Sequence, residues 1–106
     1  MNSTIIHPSH IAISARLTEW ASEAEVRREW LAECLLRHIS GDWGDLDDED
    51  RATNNHALRH SEGRLLSSYP VPAWLAADAA DSTVWVITDD LEDDDHATTV
   101  LWPSDY

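Results

Sequence analysis

The apolar positions change period partway along the chain. From Ser14 to His60 they recur every three or four residues, as on helices, and from Leu65 to Trp102 they alternate or run in short β-branched blocks, as on strands. Ahead of both, residues 4–13 (TIIHPSHIAI) are apolar around Pro8 and predict a short edge strand or an extended lead-in. SARLTEWA predicts a short helix beginning near Ser14. The clearest helix is expected from Ser22, where SEAE has the form of a capping box. There the Ser22 hydroxyl would accept the Glu25 amide and the Glu25 carboxylate would return to the Ser22 amide. Val26, Trp30, Leu31, Cys34, Leu35 and Leu36 follow as its expected buried stripe, with Glu23, Arg27, Arg28, Glu29, Glu33 and Arg37 on the remaining surface. Arg37 and His38 suit the negative end of the helix dipole, and Gly41 is a natural stop.

A further helix is predicted over 48–60. Asp47 is its N-cap, and Asp48, Glu49 and Asp50 fill the first turn, where the dipole favours negative charge. Ala57 and Leu58 give it a thin apolar face, and Gly63 ends the unit. RLLSSY (64–69), TVWVIT (83–88) and TTVLWP (98–103) are the strand candidates. The last two are expected to pair as an antiparallel hairpin around the acidic loop 89–96. Residues 70–82 read as a connection, with a turn of helix at 73–77. The expected architecture is therefore α+β, with two to three helices packed on one face of a small antiparallel sheet of about three strands. One domain spans residues 1–106: a lead-in and short helix to residue 21, a helical part over 22–62, and a β part over 63–106.

Charge changes this picture most. The chain of 106 residues carries 21 acidic and 7 basic side chains, a formal net charge of −14. All the bases are arginines and the last is Arg64, so residues 65–106 hold nine acids and no base. Direct binding to nucleic acid needs cations that displace the counterion atmosphere, so this half is a poor candidate for it. A field of this sign favours a basic partner, or serves solubility alone. No run of eighteen apolar residues predicts a membrane span, the first residues lack the pattern of a signal peptide, and a single cysteine suits a reducing compartment. A cytoplasmic location is the expectation.

The candidate chemistry centres on RHISGDWGDLDDED (37–50). Asp45, Asp47 and Glu49 have the one-three-five spacing of a calcium loop, but Asp50 stands where a glycine is required and His56 where a bidentate glutamate is required. His56 and His60 would share a helix face without an HExxH pattern, and His96 adjoins the acids of 89–95 without a zinc-site partner. Cys34, on the apolar stripe, is expected to be an inert core thiol. Ser67 and Ser68 lack the glycines of a nucleophile elbow, and glycines at only 41, 44 and 63 exclude a phosphate-cradling loop. His38 with Asp42 or Asp45 could form an acid–base pair. Of six tryptophans, Trp20, Trp30, Trp85 and Trp102 fall on periodic segments and are expected in the core, whereas Trp43 and Trp74 lie in connections. Trp43 is either a plug that packs the joint against the sheet or an exposed anchor rimmed by acids.

RHISGDWGDLDDEDRATNNHAL, then RLLSSY, VWVITDD and TTVLWPSDY, resemble a family of small, mostly uncharacterised proteins from bacterial plasmids, phages and other mobile elements. The resemblance covers about residues 37–106. It is carried by Arg37, His38, Gly41, Asp42, Trp43, Gly44, Asp50, Asn54, Arg64, Ser67, Tyr69, Trp85, Ile87, Thr88, Thr98, Thr99, Pro103 and Tyr106. Relatives have a shorter, less acidic turn at 89–96, and 70–82 looks like an insertion. The family implies an accessory gene of mobile DNA rather than a settled activity. Small acidic proteins of that setting resemble anti-defence inhibitors, including anti-CRISPR and anti-restriction proteins that present carboxylates where a host nuclease complex expects phosphates.

The first expectation is thus a non-enzymatic acidic binding protein without cofactor. It would engage a basic protein surface, such as a host nuclease or CRISPR effector, through Asp42, Trp43, Asp45, Asp47, Asp48, Glu49 and Asp50, with Asp89, Asp90, Glu92, Asp93, Asp94 and Asp95 as a second cluster. If the hairpin tip lies near the helix start, the two clusters form one face. Two alternatives stand beside it: a small metal-assisted hydrolase or nuclease around His38, Asp42 and Asp45, and an antitoxin-like or structural interaction module. An uncovered strand edge could also pair two copies as a homodimer.

Overall fold

Alternation in Thr83–Asp89 puts Val84, Val86 and Thr88 on one face of a strand and Trp85 and Ile87 on the other, and the sheet is built around that strand. The computed structural model describes Ile6 and residues 8–106. Its strands are β1 (His10–Ile13), β2 (Leu65–Pro70), β3 (Thr83–Asp89) and β4 (Ala97–Leu101), and its helices are α1 (Ala15–Ser22), α2 (Glu25–Ile39) and α3 (Asp48–His60). Short 3-10 turns cover Ala73–Leu75 and Pro103–Asp105. The sheet order is β1-β4-β3-β2. β3 pairs antiparallel with both neighbours, whereas β1 joins β4 in parallel.

The α+β class holds, with one strand more than expected. That strand is β1, at the end of the 4–13 segment read as a short edge strand or an extended lead-in; it pairs in parallel with β4 from the opposite end of the chain, so the sheet is mixed and not antiparallel throughout. The remainder of the 4–13 prediction lies outside the described residues, apart from Ile6 and residues 8 and 9.

α1 and α2 cover one face of the sheet. Leu17, Trp20, Ala21, Leu31 and Cys34 meet Tyr69, Val84, Val86, Val100 and Trp102 in the larger core. Trp20 stands edge-on to Trp102 at 5.2 Å and to Trp30 at 6.4 Å, the offset that ring quadrupoles prefer. Trp85, expected in the core, is half-buried on the opposite face, where the Tyr106 ring packs on it edge-on.

Two expectations for α2 are corrected. Ser22 does not open it: α1 runs through Ser22, whose hydroxyl donates back to the Glu19 carbonyl, and the α2 N-cap is Ala24 without a side-chain cap. The buried stripe is Arg27, Leu31, Cys34 and His38, while Val26 and Leu36 are exposed. Spacings of four, three and four keep that set on one face. Arg27 belongs to it because its guanidinium donates to the carbonyls of Trp20 and Ala77 and lies over the Trp20 ring. The Trp20 indole donates to the same Ala77 carbonyl, tying the 70–82 connection to both helices.

α3 forms over the predicted span. Asp47 accepts the Asp50 amide as N-cap, and Ser61, in the left-handed region at φ 51°, closes the other end two residues before Gly63. The helix does not lie flat on the sheet. It packs at the outer edge of β2, where Ala57 joins Leu65, Trp43, Leu91 and Ile6 in a second, smaller core.

Two features block that edge. The backbone of 43–45 runs beside β2 as a one-bridge strand: the Ser68 amide donates to the Trp43 carbonyl, and the Asp45 amide donates to the Ser68 carbonyl at 2.7 Å. One turn along, the Asn54 amide donates to the Leu66 carbonyl and its oxygen accepts the Leu66 amide. Pro70, the next outward position, has no N–H to satisfy. Gly44 is required by this approach. Its φ is +74°, and a Cβ there would meet the Ser68 carbonyl oxygen at 2.2 Å and the Tyr69 ring at 2.7 Å.

Gly44→Ala is therefore expected to lower unfolding stability by about 3 kcal/mol, through left-handed strain and a backbone clash together. Gly63→Ala, with φ +82° and open space around the added methyl, should lose only about 1 kcal/mol. Urea denaturation of the two variants checks the difference, and equal losses would refute the close approach.

Candidate functional site

Each residue of the 37–50 segment has a definite assignment. Arg37 ends α2 and forms a two-pronged ion pair with Asp42, at 2.7 and 3.3 Å, while its guanidinium lies 4.6 Å over the Tyr69 ring. The Tyr69 hydroxyl donates to the Asp42 carbonyl at 2.6 Å, and the Gly44 amide donates to the Asp42 carboxylate. The hydrogen bonds from Arg37 hold the Asp42 carboxyl below the usual carboxylate range. Asp42 is a clamp between helix end, loop and strand, and much of its charge is already answered.

Trp43 is buried, at 6% exposure, so it is the plug and not an anchor offered to a partner. Its indole donates to the Asn55 side chain, and its ring stands edge-on to His38 at 5.8 Å. Packing against Ala57, Leu65 and Leu91 outweighs exposure because all of these are apolar surfaces beside the β2 edge.

His38 is fully buried. Its Nδ1 lies 2.6 Å from the Ser67 hydroxyl and its Nε2 2.9 Å from the Thr88 hydroxyl, which in turn meets the Thr98 hydroxyl at 2.7 Å. One imidazole thus links α2 to β2, β3 and β4. Burial lowers its pKa to about 4. Neither ring nitrogen meets Asp42 or Asp45, so the His38–Asp42–Asp45 constellation of the hydrolase alternative is not assembled. The Ser67–His38 pair has the spacing of a nucleophile and its base, but both groups are fully buried and the third group in the chain is a threonine hydroxyl, not a carboxylate. Sequence reasoning missed Ser67, Thr88 and Thr98 as partners of His38. Three polar residues at inward-facing strand positions were the available signal.

The remaining acids face water. Asp45, Asp47, Asp48, Glu49 and Asp50 are exposed around the start of α3. Asp90, Glu92, Asp93, Asp94 and Asp95 are exposed in the 89–96 loop, and Asp89 is half-buried. That loop is held at its base. Leu91 is buried in the smaller core, its amide donates to the Gly63 carbonyl, and the Gly63 amide donates to Glu92. Asp95 pairs with His10.

These bonds place the loop at the C-terminal end of α3, not at its acidic start. A helix of 13 residues separates the clusters, about 20 Å at 1.5 Å per residue, well beyond the Debye length of about 8 Å at physiological salt. They are two acidic patches rather than one face. Further acids at Glu19, Glu23, Glu25, Glu29 and Glu33 lie exposed on α1, α2 and the turn between them.

The cations are distributed differently. Arg16 pairs with Asp105, Arg27 with Glu23 and two carbonyls, and Arg37 with Asp42. Arg28 donates to the last carbonyls of α1, Arg51 to the Gly44 and Leu46 loop carbonyls, and Arg64 to the Tyr106 hydroxyl. Six of the seven arginines are thereby tied to the protein itself, with Arg59 the exception among the described residues. Among those residues no cluster of three or more His, Cys, Asp or Glu side chains is placed to hold a metal ion. His56 and His60 lie together on α3 with ring centroids 4.3 Å apart. Cys34 is buried and its thiol is pushed up to about 12, chiefly by desolvation, as expected for a core cysteine. No described helix is long and apolar enough to cross a membrane.

The burial of His38 has a pH signature. An ordinary histidine near 6.5 protonates in the unfolded chain first, so the unfolded state binds more protons between pH 6.5 and 4. The neutral-histidine contribution is complete above pH 6.5 and is lost as pH falls toward 4, by roughly 3 kcal/mol in all. Urea midpoints measured across that window should fall steeply for the native chain and less so for His38→Gln. Parallel curves for the two would refute the assignment.

Comparison of the chain with family models, with curated proteins and with solved structures gave no match.

Proposed function

We propose that this chain is a non-enzymatic acidic binding protein that engages a basic surface of a nucleic-acid-handling protein. The observation that carries this reading is the asymmetry of its charges. Six of seven guanidiniums are bonded to the protein's own carbonyls, carboxylates and Tyr106, while both acidic clusters point outward from anchored backbone. Three of the 21 acids form ion pairs with arginine, those being Glu23, Asp42 and Asp105, which leaves eighteen. Carboxylates held on a folded scaffold steer a cationic partner and compete for its basic groove. Asp45, Asp48, Glu49 and Asp50 form one binding patch at the start of α3, and the 89–95 loop forms the other.

The finer reading is an anti-defence inhibitor of a mobile genetic element, acting in the cytoplasm, that occupies the phosphate-binding groove of a restriction or CRISPR nuclease. Its support is the charge pattern together with the sequence resemblance in residues 37–106. Asp42 and Trp43 serve that patch indirectly, by holding the loop against β2.

The test is affinity capture from a bacterial lysate, with the captured proteins identified by mass spectrometry and their binding then measured against salt. The captured partner is expected to be a nucleic-acid-binding protein released by double-stranded DNA. Its affinity should weaken at least tenfold between about 0.05 and 0.3 M NaCl, as the Debye length falls from roughly 14 to 6 Å. The variant carrying Asp48→Asn, Glu49→Gln and Asp50→Asn should lessen that dependence. A flat salt response, or a partner that DNA does not displace, would contradict the reading.

A further inference from the structure

The two edges of the sheet are treated in opposite ways. The β2 edge is occupied by Trp43–Asp45 and by Asn54, whereas no described strand pairs with the outer edge of β1. Three of the four β1 residues, Ile11, Ala12 and Ile13, are apolar, and all four are exposed. Ile11 and Ile13 are 51% and 45% exposed. They stand in register with Thr98 and Val100, so they project to the helix side of the sheet. There they form one wall of an apolar groove of about 330 Å³, whose far side is Leu31, Ala32 and Leu35 of α2. Natural proteins normally protect such an edge with charge, proline or a covering segment.

We infer that the β1 edge and this groove receive an extended segment of the basic partner, which adds to the sheet as a further strand. Strand addition gains main-chain hydrogen bonds along the edge, and alternate side chains of the incoming segment enter the groove. Charge selects the occupant. The His10 end of β1 adjoins the acidic loop, where His10 pairs with Asp95 and the Ser9 hydroxyl bonds the Asp94 carbonyl. Arg28, the one charged residue that lines the groove, turns its guanidinium back to the Ala21 and Ser22 carbonyls, so the acids of the loop set the charge at this edge. The fitting segment therefore alternates apolar residues, which fill the groove, with lysine or arginine facing the acids. A second copy of this chain would bring another net charge of −14 to the same place. The inference rests on the acidic-binder reading and specifies one of its two patches, the one at 89–95.

The probe is a short acetylated peptide in which lysine alternates with isoleucine, titrated into the isotope-labelled full chain and followed by amide chemical shifts. The expected result is a set of shifts concentrated at His10–Ile13, Leu31 and Leu35. A peptide with glutamate in place of lysine should bind at least tenfold more weakly. Ile11→Lys should weaken the lysine peptide at least tenfold with the circular dichroism spectrum unchanged. If that variant does not fold, Ala32→Arg, at an exposed position on α2, should do the same from the helix side. Shifts confined to Asp45–Asp50 would overturn the inference and leave the acidic-binder reading standing. Absence of binding by the lysine peptide would count against both. Equal binding of the two peptides would overturn it, as would self-association in ultracentrifugation that Ile11→Lys abolishes, which would assign the edge to a second copy.

Discussion

The outer edge of β2 is the constraint from which the rest of the molecule follows. An edge strand presents N–H and C=O groups that need partners. Here Leu66 and Ser68 present them, and one side-chain amide plus a short run of backbone answer all four. That run can approach only because position 44 lacks a Cβ. Once it is in place, Trp43 is driven inward, Asp42 is positioned for Arg37 and Tyr69, and α3 begins directly after the loop with its acidic first turn in water. The acidic patch at that turn is thus a consequence of how the sheet edge is closed.

The second anchor is polar and lies inside. His38 reaches hydroxyls on two strands and, through Thr88, a third. Leaving any buried member unpaired would cost on the order of 1–3 kcal/mol, and among the described residues no buried side-chain polar atom lacks a partner. Such a network fixes the register of α2 against the strands more narrowly than apolar packing alone, since leucines tolerate small shifts and hydrogen bonds do not. The residues that carry the sequence resemblance fall largely into these contacts: Arg37–Asp42–Tyr69, His38–Ser67–Thr88–Thr98, Trp43 and Gly44 against β2, Asn54 on Leu66, and Arg64 with Tyr106 and Trp85. In this chain their pattern has a structural explanation.

Local chemistry made part of this legible in advance. The bounds of α3 follow from Asp47 and three acids at a helix start, and the β3–β4 hairpin from β-branched runs around a polar loop. Misreadings arose where one residue could serve two elements. Ser22 and Glu25 fit a capping box, but α1 had already claimed Ser22. Arg27 has the charge of a surface residue, yet a guanidinium that finds two carbonyls and an indole face can be buried. Leu91, in a stretch too acidic to suggest a core, anchors the loop. The partners of His38 lie 29 and 50 residues away, beyond any spacing rule. For the candidate site, the exposure of the acids was readable from composition. Whether the two clusters share one face was not, because that depends on which end of α3 the loop meets.

Amide hydrogen exchange at Leu66, Ser68 and Asp45 tests the central claim most directly, since each of these N–H groups is bonded across the β2 edge. The account predicts that all three exchange slowly, with protection close to that of Val86 in the sheet centre. Exchange at the rate of an open strand edge would contradict it, because the loop and the acidic helix start would then not be fixed to the sheet.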